Sequence, residues 1–207
     1  MALRLKVCGM RDAENIRAVV GVGVDYLGFI FYGKSPRFVG DDFEPPVGIP
    51  ASVKRVGVFV NAPTDAMLKA ARRTGLNALQ LHGQEPVEQC LALRETGISV
   101  IKVFSVDNTF DFRETVPYRD AVDYFLFDTK GRYHGGNGVA FDWTLLQRYD
   151  QAVPFFLSGG LDGESLRDLD TLAGMNLHGL DVNSGVEVSP ALKDVEKITI
   201  LKRLMNE

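Results

Sequence analysis

Eight short runs of β-branched and aromatic residues recur along this 207-residue chain, and stretches that carry helix signals separate most of them. Such alternation is typical of parallel strands that are joined by helical crossovers. Eight units of about 26 residues each match a closed (β/α)8 barrel near its lower size limit. The strand-like runs span residues 3–9, 26–31, 54–60, 78–83, 99–106, 123–128, 154–160 and 177–185.

The predicted fold class is therefore α/β, a single (β/α)8 TIM barrel domain over residues 1–207. A doubly wound open sheet uses the same alternation and is the alternative. Its dinucleotide fingerprint, G-x-G-x-x-G after the first strand, is absent, because the sequence there reads CGMRDA. The length leaves little room for a further domain.

Capping residues and prolines mark where helices are expected to begin. The expected helices begin at Asp12, Thr64, Pro86, Asp162 and Ala191. One crossover differs, because three prolines and a glycine in DDFEPPVGIPASV (41–53) disfavour a regular helix. We expect a loop or a short turn where the second helix would lie.

Net charge and residue composition restrict the kinds of partner, cell compartment and bound metal that are expected for this chain. The formal net charge is −4 without any run of lysine and arginine, which argues against nucleic acid or an anionic membrane as a partner. The first residues lack a signal-peptide h-region and no apolar run reaches the roughly 18 residues that span a bilayer, so a cytoplasmic protein is expected. Two cysteines without C-x-x-C or H-E-x-x-H spacing predict neither a disulfide framework nor a metal site. Both a monomer and a homodimer stay open.

The period-two alternation of each strand separates residues that face the helices from residues that face the barrel axis. In the first strand Leu5 and Val7 face the helices, so Lys6 and Cys8 are predicted to face inward. The same rule predicts inward positions for Gln80, His82, Lys102, Asp181 and Asn183. An interior this polar must pair its charges or use them on a ligand.

Cys8 and Asp128 fall at the carboxyl ends of the first and sixth runs, and active sites of this fold lie at that end. A free cysteine is most often a small buried residue, but a nearby cation such as Lys6 would favour a thiolate that can act as a base. Asp128 either caps the turn that follows or serves as an acid, a base or a group that holds a ligand. The residues alone leave both interpretations open.

Further segments at the same end can hold an anion. In KSPR (34–37), Pro36 keeps the chain extended, and Arg37 is either a solvated loop residue or a fork for a carboxylate. SGG (158–160) and NSG (183–185) follow the seventh and eighth runs, where loop amides of this fold bind phosphate. The predicted helix start at Asp162 would add a positive dipole end beside SGG. A further glycine run, GGNG (135–138), is predicted to be a loop near the same mouth.

Taken in order, these segments resemble the phosphoribosylanthranilate isomerase family of tryptophan biosynthesis over nearly the whole chain. The matching segments are KVCG (6–9), GFIFYGKSPR (28–37), VGVF (56–59), LQLHG (79–83), FDT…GGNG…FDW (127–143), SGGL (158–161), DVNSGVE (181–187) and KD (193–194). No single segment is decisive, but their order on eight strands makes the resemblance specific. The proline-rich segment 41–53, GGNG in place of GGTG or GGSG, and SGGL in place of AGGL depart from the usual family pattern.

The resemblance implies a barrel that uses neither a metal nor an organic cofactor. It implies an Amadori rearrangement of N-(5-phosphoribosyl)anthranilate, a small phosphorylated substrate. In this family pattern Cys8 is the general base, Asp128 is the general acid and Arg37 binds the anthranilate carboxylate. The remaining residues that the resemblance implies for substrate binding are His82, Gly159, Gly160, Asp181, Ser184 and Gly185.

Two other functions stay open at this point. The histidine-pathway phosphoribosyl sugar isomerase performs the same type of rearrangement, but its pattern uses two aspartates and a duplicated phosphate motif. A non-catalytic barrel that binds a phosphorylated ligand would keep SGG and NSG, but it would not need Cys8 and Asp128 together.

Overall fold

Eight parallel strands form a closed barrel in the part of the chain that the computed structural model describes, residues 3–129, 143–161 and 165–205. The barrel closes because β1 pairs with both β2 and β8. The strands are β1 (Arg4–Val7), β2 (Tyr26–Ile30), β3 (Lys54–Phe59), β4 (Ala78–Leu81), β5 (Ser99–Val106), β6 (Tyr124–Thr129), β7 (Phe155–Ser158) and β8 (Leu177–Val182). The barrel prediction is confirmed and the open-sheet alternative is wrong. The predicted GGNG loop (135–138) and the predicted helix start at Asp162 lie outside the described residues.

The described residues contain the α-helices α1 (Ala13–Gly21), α2 (Thr64–Thr74), α3 (Val87–Arg94) and α4 (Val195–Leu204). The helices α1, α2 and α3 begin where the sequence predicts. The side chain of Asp12 accepts a hydrogen bond from the backbone N–H of Asn15 and so caps α1. α2 ends at Gly75, whose φ of +64° is the left-handed conformation that glycine tolerates, and α3 follows Pro86. None of the described helices has both the length and the apolar character needed to cross a membrane.

Three of the crossovers contain 3-10 helices, and these span Phe112–Tyr118, Trp143–Arg148 and Ser165–Leu172. The predicted α-helix after Asp162 is wrong over its described part. Leu166 and Leu172 are buried and Leu169 packs against the same core. A spacing of three residues lines up these side chains on a helix with three residues per turn, which favours the 3-10 form. Residues 41–53 contain only turns and irregular backbone, as their prolines predict.

The C-terminal segment differs from the prediction, because α4 begins after Asp194 and not at Ala191. The Asp194 side chain caps the helix by accepting two backbone N–H groups. Just before it, β10 (Leu192–Lys193) pairs antiparallel with β9 (Glu187–Ser189). This pairing keeps the segment extended and directs the Lys193 ammonium to acceptors at the barrel mouth.

Inward-facing side chains form an apolar cluster and a polar pair. The apolar cluster consists of Val56, Ala78, Ile101, Val103, Leu126 and Phe156. The polar pair is Lys6 and Asp181, which are both buried, with 2.8 Å between Nζ and Oδ1. They are register partners on β1 and β8, the two strands that close the barrel. The inward positions predicted for these two residues are confirmed.

Lys102 faces the opposite way from the prediction. Its neighbours Ile101 and Val103 belong to the inward cluster, so the Lys102 side chain leaves the other face of β5. Its Nζ is buried and donates to Glu85 Oε2 at 3.0 Å and to the Gly83 carbonyl at 2.8 Å. Because these acceptors satisfy the ammonium on the helix side, the apolar neighbours can fill the barrel axis.

Candidate active site

The carboxyl ends of the strands surround a polar pocket. Cys8 lines it just after β1, and Asp128 lines it from the end of β6. The other predicted residues that line it are His82, Gly159, Gly160, Asp181, Ser184 and Gly185. Arg37 lies beside this pocket, where it contacts Glu187. No three His, Cys, Asp or Glu side chains in the described residues are grouped so that they could hold a metal ion.

Cys8 points into the pocket and clusters there with Ile30 and Val58. Its backbone N–H donates to the Val182 carbonyl at 2.8 Å, which continues the pairing of β1 with β8. Gly28 on β2 leaves room for the thiol, because a Cβ at that position would lie 2.7 Å from Sγ. The place of the thiol therefore depends on a glycine in the neighbouring strand.

Burial and nearby charges set the proton affinity of the Cys8 thiol. Cys8 is 3% exposed, and this burial raises the pKa of the thiol above its ordinary value. Lys6 and Lys193 oppose the rise as cations, whereas the negative charge of Asp181 adds to it. The thiol is therefore the resting form at neutral pH, and loss of its proton depends on the neighbouring cations.

Lys6 is a fixed positive charge two residues before Cys8 on the same face of the strand. Burial alone would lower the pKa of Lys6, but the charge of Asp181 and of a Cys8 thiolate outweighs burial and raises it. The ammonium is therefore charged inside the barrel, where it favours the thiolate over the thiol.

Asp128 faces His82 across the pocket. The Nε2 of His82 is 3.6 Å from the Oδ2 of Asp128, and each side chain is about one-third exposed, at 36% and 34%. On its other side, the Nδ1 of His82 lies 3.1 Å from the Nε2 of Gln80. The pocket thus contains a carboxyl group that a ligand can reach and a buried thiol, supplied by different strands.

Two glycine turns after β7 and β8 form the part of the pocket that suits an anion. Gly159 and Gly160 have φ of +105° and +63°, a region that glycine adopts readily. A Cβ at Gly185 would lie 2.5 Å from the Leu161 carbonyl oxygen, so the two turns touch. Ser184 begins a short 3-10 turn, and the first N–H groups of such a turn have no acceptor within it. Amides in this arrangement can bind the oxygens of a phosphate.

Arg37 belongs to an ion cluster at the side of the pocket. Its Nε and Nη2 donate to the two carboxylate oxygens of Glu187 at 2.8 and 2.6 Å. Lys193 Nζ donates to Glu187 Oε1 and to Asn183 Oδ1, both at 2.7 Å. A Cβ at Gly9 would lie 2.7 Å from Arg37 Cδ, so the arginine stem crosses the turn that follows β1. In the part of the chain that the structure describes, the two cations of this cluster share one carboxylate, so the cluster carries a net positive charge beside the pocket.

Sequence reasoning missed the partners in this cluster. The sequence predicts a helix from Ala191. In the structure, a short hairpin of β9 and β10 takes the place of the start of that helix and places Lys193 at the barrel mouth. Glu187 ends the DVNSGVE segment and Lys193 begins the KD segment, which both match the family pattern, but neither residue receives a role from the sequence. Burial would raise the pKa of Glu187, but hydrogen bonds from Arg37 and Lys193 lower it below its ordinary value. Glu187 is therefore ionised and holds the two cations in place.

The sequence also matches a known family. The family model described as N-(5'phosphoribosyl)anthranilate (PRA) isomerase matches residues 5–202. An N-(5'-phosphoribosyl)anthranilate isomerase of Phocaeicola vulgatus is 45% identical over 190 residues, which cover 92% of this chain and 91% of that protein. The same enzyme of Parabacteroides distasonis is 42% identical over 197 residues, which cover 94% of this chain and 89% of that protein.

Solved structures give the same match in three dimensions. The crystal structure of phosphoribosyl anthranilate isomerase from Thermotoga maritima superposes with a TM-score of 0.85 at 36% identity, covering 99% of this chain and 98% of that one. A phosphoribosyl anthranilate isomerase in complex with reduced 1-(o-carboxyphenylamino)-1-deoxyribulose 5-phosphate superposes with a TM-score of 0.83 at 34% identity, with the same coverage.

Replacement of Lys193 by methionine should raise the pH at which Cys8 is alkylated. The reason is that Lys193 is one of the cations that lower the pKa of this buried thiol. Iodoacetamide labelling at increasing pH, read by mass spectrometry of the Cys8 peptide, gives the midpoint for this thiol separately from Cys90. Lys34→Met, which removes an exposed lysine of the loop after β2, should leave the midpoint unchanged. An unchanged or lower midpoint in Lys193→Met would contradict the electrostatic account of Cys8.

Proposed function

This chain belongs to the N-(5'-phosphoribosyl)anthranilate isomerase family, and from this premise we propose that Cys8 and Asp128 are the base and the acid of its reaction. The enzyme converts N-(5'-phosphoribosyl)anthranilate to 1-(2-carboxyphenylamino)-1-deoxyribulose 5-phosphate, the Amadori rearrangement of tryptophan biosynthesis. The observation that carries the assignment is that the thiol and the carboxyl group line one pocket beside two glycine turns. We infer that binding and chemistry both belong to this one barrel domain.

The phosphate of the substrate would bind at the turns after β7 and β8. Gly159 and Gly160 lie in one turn, and Ser184 and Gly185 lie in the other. Backbone amides can bind phosphate without a positively charged side chain. A protein whose net charge is −4 can therefore bind an anion at such a site although it has no overall excess of cations. Asp181 lines the same pocket but is paired with Lys6, so we propose that it supports the site electrostatically and does not contact the phosphate.

The anthranilate carboxylate would bind at Arg37. Glu187 holds two nitrogens of the guanidinium, which fixes its plane and leaves the other N–H groups to face a ligand. Among the described residues, Arg37 and Lys193 share the single carboxylate of Glu187, and the net positive charge of this cluster favours an anion at this place. Binding energy from both ends of the substrate would then hold the reacting sugar between Cys8 and Asp128.

Ring opening is the first chemical step. Asp128 gives its proton to the ring oxygen of the furanose, and the bond between that oxygen and C1 breaks. The nitrogen lone pair forms the C1=N double bond of a protonated Schiff base, and Asp128 is left as a carboxylate. Its partial exposure to the pocket gives the ring oxygen access to this proton.

Proton abstraction is the second step. The Cys8 thiol first releases its proton to water. The thiolate then takes the proton from C2, and the electrons of that C–H bond form the C1=C2 double bond while the nitrogen regains its lone pair. The resulting enolamine moves its hydroxyl proton to C1 and becomes the ketone. Asp128 regains from water the proton that Cys8 released, so both side chains return to their starting forms and no atom is gained or lost overall. The iminium cation adds to Lys6 and Lys193 in favouring the thiolate when it is needed.

The two rival functions lack comparable support. The histidine-pathway enzyme would have an aspartate where this chain has Cys8, and the similar proteins described above are phosphoribosylanthranilate isomerases. A barrel that only binds a phosphorylated ligand has no use for a thiol and a carboxyl group in one pocket. All of the proposed groups come from a single chain, so we propose that the activity needs no second copy, whether the protein is a monomer or a homodimer.

Loss of either catalytic group should slow turnover and leave binding nearly intact. We expect Cys8→Ser and Asp128→Asn each to lower kcat by about two to four orders of magnitude, the usual contribution of a positioned acid or base. KM should change little, because neither group holds the phosphate or the carboxylate. The decrease in substrate fluorescence as N-(5'-phosphoribosyl)anthranilate is consumed measures both constants.

Cys90→Ser is the matched control for the thiol, because Cys90 is buried in α3 away from the pocket. It should keep the wild-type kcat. Wild-type turnover by Cys8→Ser would remove Cys8 from the mechanism. Absence of activity in the wild-type enzyme, with binding retained, would favour the non-catalytic barrel.

Arg37→Ala should act mainly on KM. A hydrogen bond to a charged group is worth about 1.5–3 kcal/mol, so KM should rise by roughly tenfold or more while kcat falls less. The KM of Arg37→Lys should lie between those of the wild type and Arg37→Ala, because lysine keeps the positive charge but lacks the planar guanidinium group. Arg11→Ala is the control, since Arg11 is an exposed arginine that donates to the Phe38 carbonyl. An unchanged KM in Arg37→Ala would mean that other residues bind the carboxylate.

A further inference from the structure

Gln80 is a buried polar residue of the pocket for which the proposed chemistry has no role. It lies in β4, faces the barrel axis and is 1% exposed. It lines the same pocket as Cys8 and Asp128. A buried amide is stable only when its donors and its acceptor find partners, so both ends of this side chain need an explanation.

One end of the Gln80 amide touches His82. The Gln80 Nε2 is 3.1 Å from the His82 Nδ1. An amide nitrogen can only donate, so Nδ1 accepts this hydrogen bond, and a neutral ring must carry its proton on Nε2. That Nε2 is the nitrogen 3.6 Å from the Oδ2 of Asp128. The amide therefore selects the tautomer in which His82 turns an N–H, and not a lone pair, toward Asp128.

The other end of the amide is buried without a partner. Among the described residues, Gln80 Oε1 has no hydrogen-bond partner. Rotation of the amide by half a turn would exchange Oε1 with Nε2 and would favour the opposite tautomer of His82. A hydroxyl that donates to Oε1 would hold the amide in the orientation described. The sugar proposed for this pocket carries such hydroxyls, so the unpartnered oxygen fits a ligand of this class.

The tautomer matters because of the charge that ring opening creates. Asp128 becomes a carboxylate when its proton moves to the ring oxygen. A donor that already points at the place where charge develops stabilises the transition state without reorganisation. A lone pair at the same place would repel the new charge.

We propose that Gln80 is a positioning residue that holds His82 in its Nε2–H tautomer and so stabilises the Asp128 carboxylate that forms during ring opening. A hydroxyl of the bound sugar donates to Gln80 Oε1 and locks the amide in this orientation. This inference rests on the role proposed for Asp128. The part of the proposal in which Gln80 sets the tautomer of His82 can be measured independently of catalytic activity.

Nitrogen-15 NMR of the full-length enzyme, labelled at histidine and saturated with the product, reads the tautomer directly. The chain has three histidines, and His82→Asn identifies the two ring signals of His82 by their loss. In the wild type we expect a protonated Nε2 and an unprotonated, hydrogen-bonded Nδ1. In Gln80→Met, which keeps the chain length and removes the donor, both signals should move toward a mixture of tautomers.

Kinetics of the same variants tests the consequence for catalysis. We expect Gln80→Met to lower kcat by about 10- to 100-fold, which is part of the contribution that a positioned general acid can make. KM should change by a smaller factor than kcat. Gln89→Met is the matched control, because Gln89 donates to the Ala62 carbonyl and Thr64 Oγ1 outside the pocket. It should leave both kcat and the His82 signals unchanged.

Two results would overturn the proposal. One is an Nδ1–H tautomer in the wild-type product complex, and the other is a Gln80→Met variant that keeps the wild-type tautomer or the wild-type kcat. Failure of the underlying function looks different. In that case Asp128→Asn would remain active although the His82 signals still responded to the loss of Gln80.

Discussion

The ion pair between Lys6 and Asp181 is the interaction on which the rest of the site depends. The two residues are register partners on β1 and β8, the strands whose pairing closes the barrel, and their charged atoms are 2.8 Å apart. Neither charge could be buried alone, because an unpaired ion in a protein interior costs several kcal/mol. Closure of the barrel therefore brings with it a fixed cation two residues from Cys8. The base of the proposed mechanism depends on that cation, because burial by itself keeps the thiol protonated.

Around this pair, small networks of contacts hold the side chains of the mouth. Glu187 fixes Arg37 and Lys193, the two glycine turns touch each other, and His82 faces Asp128. The protein as a whole is acidic, yet its proposed substrate is an anion at both ends. In the proposed binding mode, local cations and backbone amides would resolve this conflict, because they act over a few ångströms where the net charge of the chain has little effect.

The sequence predicts what depends on local pattern and misses what depends on tertiary partners. The alternation of each strand is sufficient to place Cys8, Gln80, His82 and Asp181 on the axis side. The same rule fails at Lys102, because Glu85 and backbone carbonyls can satisfy an ammonium on the helix side and a sequence pattern does not contain them. The contact between Glu187 and Lys193 escapes prediction for a similar reason. The sequence after Ala191 has a helical pattern, but pairing with β9 holds the two residues of β10 in an extended conformation, and this pairing is a tertiary contact. The proposed roles of Cys8, Asp128 and Arg37 rest on the family resemblance, because the sequence pattern alone leaves them open.

Cys8 and Asp128 are proposed to act on different bonds of one substrate. A substrate that carries deuterium at C2 tests this directly, because only the step assigned to Cys8 breaks that C–H bond. In Cys8→Ser, proton abstraction limits the rate, so the isotope effect on kcat should exceed that of the wild type. In Asp128→Asn, ring opening limits the rate and the isotope effect should fall toward unity. Equal isotope effects in the two variants, or the reverse order, would contradict the assignment of base and acid.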